Sequence, residues 1–97
     1  MRYEVILAPE AIQDVRNLKA SVRSTVRDAI EKVLRHAPTR VSKSRIKRLQ
    51  GVSRPQFRLR VGDVRVFYDV RESLVEILAI VPKSEATAWL RREGMSG

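Results

Sequence analysis

A chain of 97 residues with a 43% hydrophobic fraction is long enough for one domain around one modest core and too apolar for wholesale disorder. The absence of cysteine excludes a disulfide framework, a thiolate metal site and a cysteine nucleophile, and the single histidine, His36, leaves no imidazole pair for metal binding or proton relay. The net charge of +9 favours polyanionic partners: nucleic acid, an acidic protein or an anionic surface.

That charge is concentrated. From Lys32 to Gly62 there are ten Lys and Arg residues and no Asp or Glu, whereas the rest of the chain holds ten basic against eleven acidic residues. No apolar run approaches a membrane span. The start, Met1-Arg2-Tyr3-Glu4, lacks the apolar core of a signal peptide. The expectation is a cytoplasmic chain folded as a single domain over 1–97.

Tyr3 to Leu7 reads as a first strand. Pro9 is placed for the first turn of a helix, and Ala11, Val15 and Leu18 recur at helical spacing. After a break at Ala20-Ser21, with Ser21 as the expected N-cap, a second helix carries the apolar stripe Val22, Val26, Ala29, Ile30, Val33 and Leu34. Pro38 stops it, and His36 sits at its end, a surface or helix-dipole position. The two helices are expected to form an antiparallel hairpin packed on a sheet. Residues 38–50 read as a long basic loop, and long loops are often functional.

A β-hairpin follows. Gln56 to Val61 alternates strictly, Gly62-Asp63 is a two-residue turn signal, and Val64 to Val70 forms the return strand. This turn sets the register: Val61 faces Val64, Arg60 faces Arg65, Leu59 faces Val66, Arg58 faces Phe67 and Phe57 faces Tyr68. Phe57, Leu59, Val61, Val64, Val66 and Tyr68 then share a core face, and Arg58, Arg60, Arg65 and Phe67 share the other. Like charges opposite one another weaken a sheet, so Arg60 against Arg65 is an arrangement that folding alone does not favour. Three guanidiniums on a rigid sheet can grip phosphate in bidentate fashion, and Phe67 offers a stacking surface for a base. The alternative is that Asp69 and Glu76 neutralise these arginines as surface ion pairs.

Arg71-Glu72-Ser73 is a second turn. Leu74 to Val81, apolar except for Glu76, reads as a central strand ended by Pro82. Ser84 is placed to cap a last helix from Glu85 to Arg92, with Gly94 ending it. The fold class is α+β: an N-terminal strand, a two-helix antiparallel hairpin, a mainly antiparallel three-stranded meander and a short C-terminal helix, in the order β-α-α-β-β-β-α.

The segment Lys47-Arg48-Leu49-Gln50-Gly51, followed by Phe57-Arg58-Leu59-Arg60-Val61-Gly62-Asp63-Val64-Arg65-Val66-Phe67-Tyr68, resembles the signature of the RelE/ParE superfamily of bacterial toxins, and the element order matches as well. The resemblance implies the toxin of a type II toxin–antitoxin system, neutralised by a cognate acidic antitoxin. In the RelE branch it implies a ribosome-dependent mRNA endoribonuclease without cofactor or metal, in which clustered cations stabilise the charge of the transition state. Carried over by position, Arg58 and Arg60 match basic residues before the turn, and Arg65 matches the arginine that contacts the scissile phosphate. Lys47 matches a loop lysine that contacts RNA, with Arg45 and Arg48 beside it as further candidate RNA contacts. Tyr68 matches a hairpin tyrosine read here as core.

Active RelE-type enzymes also carry an arginine after the last long strand and a tyrosine about six residues later. Here Lys83 stands for the first and Trp89 for the second. Trp89 can stack on a base but cannot exchange a proton, and packing is its more frequent role in a terminal helix. The acid–base step therefore has no obvious owner. This keeps two alternatives open: a non-enzymatic ParE-like poison of DNA gyrase, and a degenerate module that only binds antitoxin. On the enzyme reading, Arg65→Ala is expected to abolish cleavage with the fold intact.

Overall fold

The computed structural model describes residues 2–96. Strand β1 (Glu4–Leu7) leads into helix α1 (Pro9–Asn17), then helix α2 (Ala20–Ala29), which runs on as a π-helical segment, Ile30–Leu34. Strands β2 (Ile46–Arg48), β3 (Phe57–Val61), β4 (Val64–Arg71) and β5 (Leu74–Pro82) follow, and helix α3 (Lys83–Glu93) closes the chain. One five-stranded sheet results, in the order β1-β5-β4-β3-β2, with β1 parallel to β5 and the other pairs antiparallel. This is the expected α+β architecture with one strand added.

The addition is β2, which lies within the connection read as loop. Its only apolar residue, Ile46, is 2% exposed and sits opposite Leu59. A three-residue edge strand carrying Lys47 and Arg48 has almost no alternation to recognise, and charge on an edge strand discourages further pairing.

Both expected serine caps are corrected. Helix α2 starts at Ala20 with Lys19 as its N-cap, and no side chain caps it. The Lys19 carbonyl accepts the first helical bond, from the Arg23 N–H at 2.8 Å, which places Ser21 inside the helix. The Arg23 guanidinium reaches back to the end of α1, donating to the carbonyls of Val15 (3.1 Å) and Leu18 (2.9 Å), where a cation suits the helix dipole. Helix α3 begins directly on the end of β5. Pro82 is its N-cap, and the Lys83 N–H donates to the Asp63 carbonyl at 2.7 Å, so Ser84 is one residue inside.

The sheet is covered on both faces. Ala11, Val26, Ile30 and Leu34 from the helical hairpin pack on Phe57, Leu59, Val66, Tyr68, Val75 and Ile77. Tyr68 is fully buried, stacks on Phe57 at 5.5 Å, and donates its hydroxyl to the Pro38 carbonyl at 2.7 Å. Burial drives its pKa well above the ordinary phenol range. On the opposite face Phe67, Leu78, Ala79 and Val81 pack under Trp89 of α3. A bulge explains how β5 serves both layers. The register passes from Phe67 opposite Ala79 to Tyr68 opposite Ile77, so Leu78 is an extra residue and both Leu78 and Ala79 face α3. The near-continuous apolar run of β5 follows from burial on both sides.

The β1 ladder ends as the Ala8 N–H donates to the Ile77 carbonyl of β5 at 2.8 Å, and further along β5 Asp14 of α1 takes over. Its Oδ2 accepts the Ile80 N–H at 2.9 Å. Burial raises the Asp14 pKa against the lowering effect of that hydrogen bond, with Glu10 and Glu85 adding to the rise. A carboxyl whose pKa is higher folded than unfolded stabilises the fold below its unfolded value, and that contribution is lost as pH rises through the folded pKa. Asp14→Asn is therefore expected to be more stable than the parent at neutral pH. The gain should shrink as pH falls toward 4 (about the ordinary Asp value), read by urea melts at both ends of the range.

Candidate functional site

The hairpin takes the register that its turn predicts, from Phe57 opposite Tyr68 to Arg60 opposite Arg65 and Val61 opposite Val64. Gly62 carries the turn at a φ of 56°, a conformation open to glycine at little cost. Arg58, Arg65 and Phe67 thus share the face on which α3 packs. Lys47 joins them, because β2 sets it opposite Arg58.

Between these strands and α3 runs an open groove of about 370 Å³. Lys47, Arg58, Arg65 and Lys83 line it with Thr87, over an apolar floor of Leu49, Phe67, Ala86 and Leu90. No carboxylate, histidine or tyrosine is among its lining residues.

Arg58 is half-buried, and its Nε is buried without a hydrogen-bond partner. Burial, and then the neighbouring charges of Arg65 and Arg60, pull its pKa below the ordinary guanidinium value. Arg65 is 6% exposed, and its Nη1 donates to the carbonyls of Gly62 (2.8 Å) and Val64 (3.0 Å). It therefore ties the hairpin turn as well as lining the groove. This corrects the expectation that Arg65→Ala leaves the fold intact, since the turn would lose the donor to its Gly62 carbonyl and the buried bond to the Val64 carbonyl.

The acidic neighbours do not neutralise the cluster. Asp69 Oδ2 accepts from Arg54 Nη1 at 2.8 Å, and Glu76 pairs with Arg54 and Arg71. Among the described residues no ion pair involves Lys47, Arg58, Arg60, Arg65 or Lys83. A cationic groove without internal counter-ions, floored by apolar side chains, can hold phosphate groups and stabilise extra negative charge on them. Also among the described residues, no group of three or more His, Asp or Glu side chains is placed to hold a metal ion.

The family model for the ParE toxin of type II toxin–antitoxin systems, parDE, matches residues 5–87. The chain belongs to this family. Its fold is shared by toxins of the RelE/ParE superfamily. The archaeal RelE of the Pyrococcus horikoshii OT3 RelE–RelB complex is 23% identical, with 86% of this chain and 97% of that chain covered at a TM-score of 0.69. The Mycobacterium tuberculosis RelBE2 toxin–antitoxin complex contains a chain 25% identical, with 84% and 99% covered at a TM-score of 0.64. A double arginine-to-alanine mutant of E. coli toxin RelE in the free state is 15% identical, with 96% and 99% covered at 0.58. No curated protein matches significantly.

Not every expected contact of the toxin lies in the groove. Phe67 is fully buried, and its ring stacks on Trp89 at 4.9 Å with 6° between planes. Each ring covers the other, so neither offers the open base-stacking face expected of it. Trp89 also donates its Nε1–H to Glu10 Oε2 at 2.6 Å, which makes it a packing anchor. Arg48 lies on the helical-hairpin face, its guanidinium 5.1 Å from the centre of the Phe57 ring, so the sheet separates it from Lys47. Arg45 precedes β2 and is exposed; its carbonyl accepts the Arg60 N–H at 2.9 Å. Neither Arg45 nor the exposed Arg60 is among the groove's lining residues. Arg60→Ala is expected to leave phosphate binding nearly unchanged and to raise stability by a few tenths of a kcal/mol, about the cost of like charges opposed across strands, as read by urea melts.

Sequence reasoning named Lys83 of α3 but missed Ala86, Thr87 and Leu90, which line the groove beside it. Lys83, Ala86, Thr87 and Leu90 stand at i, i+3, i+4 and i+7, the spacing of one helical face, and that signal was available in the sequence.

A second groove, about 340 Å³, lies between the helical hairpin and β1. Val5, Leu7, Val15, Val26 and Ile30 form its apolar part, and Arg23, Arg27 and Arg35 stand at it with Glu31.

Proposed function

We propose that the toxin is a ribosome-dependent mRNA endoribonuclease that inhibits translation. The observation that carries this reading is a groove lined by Lys47, Arg58, Arg65 and Lys83 with no carboxylate among its lining residues and, among the described residues, no ion pair to any of the four. On this reading the ribosome presents the mRNA backbone to Lys47, Arg58, Arg65 and Lys83. The 2′-hydroxyl forms a bond to the adjacent phosphorus as the bond to the 5′-oxygen breaks, leaving a 2′,3′-cyclic phosphate and a 5′-hydroxyl. The four cations stabilise the charge that gathers on the phosphoryl oxygens. The proton lost by the 2′-hydroxyl passes through water to the departing 5′-oxygen, since the groove is lined by no carboxylate or imidazole, and positioning and electrostatics carry the rate. Incubation with translating ribosomes followed by mapping of mRNA 5′ ends tests it; intact mRNA in the presence of the folded toxin would refute it.

A second reading is supported by the same lack of an acid–base group and by the ParE description of the matching family: a non-enzymatic toxin that poisons DNA gyrase. Supercoiling assays separate the two, because accumulation of gyrase cleavage complexes with intact mRNA decides for gyrase. Either target puts the site of action in the cytoplasm.

We also infer an acidic antitoxin segment as the occupant of the groove between the helical hairpin and β1, where apolar side chains are rimmed by arginines. Arg27→Glu is expected to slow antitoxin association several-fold, as rim charges do, with toxicity retained. Stopped-flow mixing with the cognate antitoxin reads it.

A further inference from the structure

Asp69 and Glu76 lie on the same face as Arg58, and a single side chain engages both. Arg54 donates through Nη1 to Asp69 Oδ2 at 2.8 Å and through Nη2 to Glu76 Oε1 at 3.4 Å. The other Asp69 oxygen accepts the Gln56 backbone N–H at 2.8 Å. Arg54 is itself fixed from behind. Its backbone forms an antiparallel bridge with Met95, whose N–H donates to the Arg54 carbonyl at 2.9 Å. Met95, two residues beyond the end of α3, thus holds the arginine that holds the carboxylates.

The register gives this arrangement a consequence for the groove. Arg58 stands opposite Phe67, so Asp69, two residues along β4, is its diagonal neighbour. Such neighbours lie roughly 7–8 Å apart at the backbone, within reach of a long side chain. Asp69 is 6% exposed, and a carboxylate so buried requires a cationic partner. Arg58 is one diagonal step away, yet among the described residues no ion pair joins the two, and the Asp69 carboxylate is held instead by Arg54 and the Gln56 N–H.

We propose that Arg54 is a positioning residue that keeps Arg58 free for phosphate by occupying Asp69. This rests on the groove being a phosphate site. Without Arg54, Asp69 turns to Arg58, and the ion pair formed inside the protein competes with any phosphate outside it. Glu76 keeps Arg71, 3.7 Å away, so Asp69 is the carboxylate released.

The test uses the full chain and a fluorescein-labelled single-stranded RNA oligonucleotide, with affinity read by anisotropy and folding by circular dichroism. Arg58→Ala is expected to weaken binding roughly tenfold, the order of one lost charge-assisted contact. Arg54→Ala is expected to weaken it by a comparable factor although Arg54 is outside the groove. The double variant Arg54→Ala/Asp69→Asn is expected to regain parental affinity, since the neutral amide still accepts the Gln56 N–H but no longer attracts Arg58. The double variant Arg54→Ala/Asp28→Asn has the same net charge, altered on exposed α2, and is expected to stay weak. If Arg58→Ala binds as the parent does, the phosphate reading fails and this inference with it. If Arg58→Ala weakens binding and Arg54→Ala does not, the inference alone is overturned. Failure of Asp69→Asn to rescue, or equal rescue by Asp28→Asn, overturns it as well.

Discussion

Arg58→Ala is expected to lower mRNA cleavage on the ribosome by about a hundredfold, the scale on which one preorganised donor to a transition-state oxyanion acts, with little change in stability. Both halves follow from its surroundings. The Nε of Arg58 has no partner within the protein, so truncation leaves no carbonyl or carboxylate stranded. Its charge is disfavoured by burial and by Arg65 and Arg60, so removal relieves repulsion and offsets the packing lost with the aliphatic stem. The net effect on stability should stay within about 0.5 kcal/mol. Arg58→Lys should fall between the two in activity, because lysine keeps the charge and lacks the planar fork. Arg65→Ala makes a poorer test. Its Nη1 bonds to the Gly62 and Val64 carbonyls would be lost too, about 1–3 kcal/mol for a buried group left unmatched, and activity could fall through the turn rather than through the chemistry. Single-turnover cleavage with programmed ribosomes, alongside urea melts, reads both quantities. Parental cleavage by Arg58→Ala would remove the groove from the mechanism.

The contrast between these arginines shows what the sequence carried. The turn at Gly62-Asp63 fixed the register, and register fixed the face, so Arg58 and Arg65 could be placed together from residue order alone. What they touch there depended on contacts distant in sequence. Phe67 falls on the expected face but in other surroundings, because Trp89, which covers it, lies 22 residues further along the chain, and a stack between residues so far apart leaves no local trace. Asp69 was likewise placed correctly beside the arginines, while its partner Arg54 comes from the loop before β3. Arg48 was misplaced for a local reason. Once Ile46 is recognised as a strand residue facing the core, alternation sends Lys47 to the groove and Arg48 to the other side. Three residues inside a basic run are too few to show that alternation. The serine caps failed because α2 and α3 both start from extended residues, Lys19 and Pro82, that supply no capping side chain.

The groove therefore depends on how α3 is held, and Trp89→Ala is expected to have the largest effect on stability. Trp89 is 5% exposed and packs with Phe67, Leu78, Ala79 and Val81. Replacing a buried tryptophan by alanine costs about 3–5 kcal/mol, a large part of the roughly 5–15 kcal/mol that holds a domain folded. The loss should be uneven. The helical-hairpin core around Tyr68, Leu59 and Ile77 lies across the sheet, whereas Ala86 and Leu90, the other apolar residues α3 sets against this layer, are only partly buried. Amide exchange is thus expected to quicken first along α3, and cleavage to fall through the loss of the wall that carries Lys83 and Thr87. Trp89→Phe separates packing from hydrogen bonding. It keeps a ring on Phe67 and leaves Glu10 without the Nε1–H it accepts at 2.6 Å, a cost of about 1–2 kcal/mol, so it should retain most of the activity that Trp89→Ala loses. A parental urea midpoint for Trp89→Ala would mean that α3 is held by its ends, through the Pro82 junction and the Arg54–Met95 bridge, and that the aromatic stack contributes little.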